Sequence, residues 1–203
     1  MASVRRPGHP GLILLLACVA QFMVILDVSV VNVALPSIQS GLDFSEANLQ
    51  WVVSAYAVPF AGFLLLGGRS GDLLGRKRMF LVGVALFSLA SLLGALAATE
   101  AQLIASRALQ GLGGAIVAPA TLSIITTTFK EGPERNRALG IWGSVAAAGG
   151  TAGALVGGLL TGLLSWRWIF LINVPIGLLL LPFSWRFIPA SKGSLVHRSF
   201  YAA

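Results

Sequence analysis

Six stretches of this chain, at about 12–35, 49–67, 79–98, 102–128, 139–164 and 168–188, are each long and apolar enough to cross a lipid bilayer. A spanning helix needs about 20 mostly apolar residues, and inside lipid only a helix or a closed barrel satisfies its own backbone. The connections are short, which favours antiparallel neighbours in one bundle. The expected fold is therefore all-α and integral to the membrane. Its six-helix bundle covers residues 12–188, between an N-terminal tail 1–11 and a C-terminal tail 189–203. Composition agrees, since 56% of the 203 residues are hydrophobic and only 10% are charged. A soluble domain carries about 25% charged residues to cover its surface.

Local signals punctuate the spans. Pro36 after the first and Gly67-Gly68 after the second read as stops. Thr99 with Gln102 three residues later fits a capping box opening the fourth helix. The run Leu15-Leu16-Ala17-Cys18 after Arg5-Arg6 approximates a lipoprotein cleavage box, but apolar sequence continues well past it. Span one is read as an uncleaved helix.

The positive charges orient the bundle. Arg5, Arg6, Arg69, Arg76, Lys77, Arg78, Lys130, Arg135, Arg137, Arg186, Lys192 and Arg198 all fall on one side, and only Arg167 on the other. This asymmetry places both termini in the cytoplasm. Asp43, Glu46 and Glu100 then lie outside. The five tryptophans, Trp51, Trp142, Trp166, Trp168 and Trp185, fall near expected helix ends, where indole rings settle among lipid headgroups.

Several chemistries are excluded. The single Cys18 permits no intrachain disulfide and no cysteine-based zinc site, and His9 and His197 lie in the polar ends. No phosphate-binding GxxxxGK[ST], HExxH or GxSxG motif occurs. No metal, cofactor or covalent catalysis is expected, and the protein is not read as an enzyme.

Shifting the chain by about 90 residues aligns Gly67, Gly68, Leu73, Leu74, Phe80, Leu81 and Val84 with Gly157, Gly158, Leu163, Leu164, Phe170, Leu171 and Val174. The two stretches fall on opposite faces of the expected topology. That is the signature of an inverted three-plus-three repeat; the alternative is chance identity in a Gly/Leu/Val-rich chain.

Asp27 in span one and Arg107 in span four are the only charges well inside the apolar segments. A charge in hydrocarbon is costly, so such residues mark function by default. Counted from Leu35 and Thr99, each lies about 12 Å from the outer end of its helix, in one layer. The functional reading is a carboxylate whose proton occupancy is set by a movable arginine and by bound substrate. The structural reading is a static pair joining two helices. Gln21, Asn32 and Gln110 join that layer or simply bond across helices; Gln110 is retained as a cavity candidate.

Gly68-Arg69-Ser70-Gly71-Asp72-Leu73-Leu74-Gly75-Arg76-Lys77-Arg78 reads as a tight loop. Asp72 among four cations there can form a switchable ion pair beside helix ends. In span five, Gly149, Gly153 and Gly157 recur every four residues with Gly158 beside them, a small-residue face for close helix packing.

Together these stretches resemble the amino-terminal half of a major facilitator superfamily transporter, and specifically its fourteen-helix drug:proton antiporter branch. Asp27-Val28-Ser29-Val30-Val31-Asn32-Val33-Ala34-Leu35-Pro36 resembles the branch's helix-one motif. Gly68, Asp72, Gly75, Arg76 and Lys77 match the superfamily's loop pattern GxxxDxxGRK, a cytoplasmic gating element. Arg107-Ala108-Leu109-Gln110-Gly111 resembles the helix-four motif, whose arginine is associated with proton coupling. The run from Trp166 and Arg167 to Asn173 and Pro175 resembles the helix-six signature. The antiporter motif GxxxGPxxGG is carried by Gly149, Gly153, Gly157 and Gly158, with Ala154 where proline is typical.

The resemblance covers about residues 12–189 and only half of a complete transporter. It implies proton-coupled efflux of drugs, antibiotics or amphiphilic, often cationic, metabolites across the plasma membrane. Protons, the lipid bilayer, a small substrate and a second half are the implied partners, with the proton gradient as driving force. A truncated product, a non-transporting remnant acting through helix association, a homodimeric half-transporter and a small-solute importer are the competing readings.

Overall fold

The structure, a computed structural model, describes residues 9–190. Arg5, Arg6, Lys192, His197 and Arg198 lie outside the described residues. Those described form seven helices: α1 (Pro10–Leu42), α2 (Glu46–Leu74), α3 (Arg76–Ala95), α4 (Glu100–Thr128), α5 (Pro133–Leu163), α6 (Trp168–Leu171) and α7 (Asn173–Phe187). The last two continue one another, so six segments are long and apolar enough to cross a membrane.

Helices overrun the expected limits at two places. Pro36 does not stop α1, which continues to Leu42 and ends at Asp43 in a left-handed conformation (φ 53°). A proline removes one helical hydrogen bond, here the one to the Asn32 carbonyl, and the helix nevertheless continues for six more residues. The extension puts Asp27 about 20 Å from the end of α1, deeper than its count from Leu35 implies. Likewise Gly67-Gly68 lie within α2, and the expected loop 68–78 is almost wholly helical. The chain reverses at one residue, Gly75, whose φ of 97° suits glycine.

The cap of α4 forms. The Thr99 hydroxyl accepts from the Gln102 backbone N–H at 3.3 Å, and the Gln102 side chain accepts from the Ala98 N–H at 2.8 Å, one residue beyond the usual capping box. Glu100 reaches across to α2, accepting from the Ser45 N–H and from Asn48 Nδ2. Between α6 and α7 the break falls where Pro175 has no N–H to offer the Leu171 carbonyl.

Packing follows from small residues. α2 lies against α4, and α5 lies against α1. A Cβ on Gly67 would meet the backbone of Ala115 and Ile116, and one on Gly157 the backbone of Val30. Those glycines are equivalent in the 90-residue echo, and each brings its helix onto the first helix of the other triplet. Matched contacts of this kind are what an inverted repeat produces. Gly149 and Gly153 extend the α5–α1 seam against Ile25 and Ser29, whereas Gly158 faces open space.

Two tryptophans depart from the headgroup expectation. Trp166 is 4% exposed, wedged over Gly41 and edge-on to Phe170 at 6.2 Å. Trp142 turns into the bundle, its Nε1 donating to the Thr121 hydroxyl at 3.2 Å. Trp51, Trp168 and Trp185 remain exposed.

Candidate functional site

Asp27 and Arg107 meet. The Arg107 Nη1 donates to Asp27 Oδ2 at 2.5 Å, with the two residues 1% and 0% exposed. Gln110, one turn along α4, donates to Asp27 Oδ1 at 2.9 Å, and its own oxygen accepts from Arg107 Nη1 at 2.8 Å. From α7, Asn173 Nδ2 donates to the same Oδ1 at 2.9 Å. The α3 residue Ser91 accepts from Gln110 at 2.6 Å and from Asn173 at 3.3 Å. A third contact holds the arginine, whose Nε donates to the Val52 carbonyl of α2 at 3.0 Å.

Three helices thus meet at one carboxylate, and α2 and α3 hold the groups that bind it. In a low-dielectric interior a buried ion pair persists only when its remaining lone pairs and N–H groups are satisfied. Here the amides of Gln110 and Asn173 do that for Oδ1. The Tyr56 ring of α2 lies 4.5 Å from the guanidinium carbon, adding a cation–π contact, and Phe170 stands at 5.9 Å. Two buried polar atoms beside the cluster have no hydrogen-bond partner among the described residues: the Tyr56 hydroxyl and Asn173 Oδ1.

A cavity of about 610 Å³ opens beside this cluster, between α1, α2 and Gly150 of α5, and Arg107 forms part of its wall. Its size is that of sites for drug-sized molecules. Asn32 lines it, with Nδ2 held by the Val28 carbonyl at 2.8 Å. Ser29 also lines it and ties α1 to α5 by donating to the Gly150 carbonyl at 2.6 Å.

The family model described as Major Facilitator Superfamily matches residues 17–199. The chain belongs to the major facilitator superfamily.

Among similar proteins, the cephamycin export protein CmcT of Amycolatopsis lactamdurans is 53% identical over 165 residues, covering 81% of this chain and 34% of that protein. The puromycin resistance protein pur8 of Streptomyces alboniger is 50% identical, covering 84% and 34%. The methylenomycin A resistance protein of Streptomyces coelicolor is 39% identical, covering 94% and 40%. The chain thus spans about a third of the length of these curated relatives. The solved structure of the proton:xylose symporter XylE shares the fold, with a TM-score of 0.78 at 17% identity, over 92% of this chain and 46% of XylE. A superfamily of transporters, rather than of enzymes, accounts for the bundle, and the chain is a multi-pass membrane protein of the kind found in the plasma membrane.

The superfamily's other motif residues lie away from the cluster. Asp72, in the last turn of α2, faces Arg76, in the first turn of α3, at 3.8 Å. Each charge sits at the helix end whose dipole opposes it, so pairing across Gly75 relieves both. Lys77 donates to the Trp185 carbonyl at 2.5 Å, fastening α3 to the end of α7. A Cβ on Gly68 would make only ordinary contact with Pro119. Arg167 donates to the Ala97 carbonyl at 3.0 Å and covers the Trp166 ring at 4.3 Å. Pro36 and Pro175 are exposed. Gln21 lies near the Thr121 hydroxyl at 3.4 Å, apart from Asp27, in a cross-helix role. Ser91 and Tyr56 are the members that sequence reasoning missed.

Proposed function

We propose that this chain forms the proton-coupling half of an exporter of drugs, antibiotics or amphiphilic metabolites. The observation that carries the reading is the fully buried Asp27–Arg107 pair beside a cavity large enough for such a molecule. The export and resistance names of its relatives support the direction and the substrate class.

In this mechanism a proton entering from outside settles on Asp27. The neutral carboxyl holds Arg107 less strongly, and the guanidinium in the cavity wall keeps its bonds to Gln110 and Val52. Discharge of that proton to the cytoplasm restores the pair. Asp72 and Arg76 act as a latch on the basic end, broken and remade as the two halves rock. No cofactor takes part; the proton gradient drives the cycle, and both termini lie in the cytoplasm.

The test is substrate-driven proton movement in liposomes holding this 203-residue chain, beside its Asp27→Asn variant. Flux that needs substrate and disappears in the variant is the expected result. Well-folded protein without flux would overturn autonomous export and favour a role in helix association, for which the exposed apolar faces of α2 and α5 are available.

A further inference from the structure

The cavity wall carries a cationic group and no anionic one among the described residues. Among the described residues lining it, Arg107 alone bears a formal charge. The rest are mostly aliphatic, with Tyr56 and Phe60 stacked at 5.7 Å and Ser29 and Asn32 as the other polar groups. Asp27 is not part of that wall; it sits behind Arg107 at 0% exposure. The guanidinium is engaged on its inner side, Nε by Val52 and Nη1 by Asp27 and Gln110, while Nη2 takes no hydrogen bond among the described residues.

We propose that this wall recognises apolar molecules carrying a carboxylate, with the acid group on Arg107 Nη2 and the apolar body against Tyr56, Phe60 and the valines of α1. A guanidinium offers a fork of N–H donors suited to a carboxylate, and one edge of this fork is unspent. In an apolar cavity the new pair is little screened, whereas a cation finds no anionic partner among the lining residues, Asp27 being fully buried, and a neutral guest gains only the apolar contact. The guest's acid also competes with Asp27 for the same guanidinium. Binding therefore weakens the internal pair, which is the differential interaction that substrate coupling requires. The claim that the guest is a transported substrate rests on the export reading; the acid preference of the wall does not.

The experiment measures binding of three matched probes to the full chain in lipid nanodiscs: naphthylacetate, naphthylacetamide and naphthylmethyl-trimethylammonium. The acid is expected to bind at least tenfold more tightly than the amide, and the cation most weakly. Arg107→Gln should erase the difference between acid and amide. Asp27→Asn, which frees the guanidinium from its internal partner, should tighten the acid severalfold without changing the amide. Each variant is read only where circular dichroism shows it folded, and the ranking of the three probes on the unaltered chain keeps the test decisive where neither folds. Equal binding of the three probes, preference for the cation, or no binding at all would overturn the acid preference and leave the export reading standing. Acid-selective binding without proton flux would remove only the export reading.

Discussion

At the residue scale the Asp27–Arg107 pair is a liability as well as a device. Removing one partner leaves the other as an uncompensated charge away from water, costing about 3–5 kcal/mol in buried pairs. Arg107→Gln and Asp27→Asn are each expected to lower stability toward denaturing detergent, and the double variant to lose less than the sum. A coupling of at least about 1 kcal/mol in that cycle is expected; strict additivity would mean that the two groups do not interact in the membrane. These two charges were legible in the sequence because a charge in an apolar span is costly enough to need a partner or a function. Asn173 stood out only through a motif resemblance. Ser91 and Tyr56 gave no signal, since a helix surrounded by lipid is apolar on every face and its pattern does not reveal which face turns inward. Only the packing of α7 on α1 brings Asn173 to the carboxylate, and only that of α3 on α4 and α7 brings Ser91 to Gln110 and Asn173.

At the scale of the element, glycine position decides what each helix tolerates. Gly153 of α5 lies against Ser29 and the Leu26 carbonyl, whereas Gly158 on the same helix faces open space. Gly153→Leu should cost about 1–3 kcal/mol by forcing α5 off α1. Gly158→Ala should stay within about 0.5 kcal/mol of the parent. Comparing detergent denaturation of the two tests whether the seam, rather than helix propensity, sets the cost. The sequence made this small-residue face visible because its four-residue spacing survives in any environment. It misread Pro36 and Gly67-Gly68 as ends because breakers act strongly in water, where a freed carbonyl gains a solvent partner. In the bilayer that alternative is absent, so the helix persists through Pro36, Pro59, Pro119 and Pro182. Ala154 in place of the motif's usual proline fits the unbroken run of α5 from Pro133 to Leu163.

At the scale of the molecule, what remains to be argued is which way the bundle sits. Among the described residues, its antiparallel helices put Arg69, Arg76, Lys77, Arg78, Lys130, Arg135, Arg137 and Arg186 at one end and Arg167 at the other. Cytoplasmic loops retain such charge during insertion, so the expected outcome is that the basic end lies inside. Two exposed positions report this directly: Ala47 at the start of α2 and Lys130 between α4 and α5. In a Cys18→Ala background, Ala47→Cys should react with a membrane-impermeant maleimide on intact cells. Lys130→Cys should react only after permeabilisation. Opposite labelling would invert the bundle and reverse the direction assigned to proton entry. The pair would then lie nearer the cytoplasmic end of α4, because Arg107 sits about 10 Å from that helix's start at Glu100. Orientation therefore bears on mechanism as well as topology: protons reach Asp27 from outside only if the short limb of α4 leads outward.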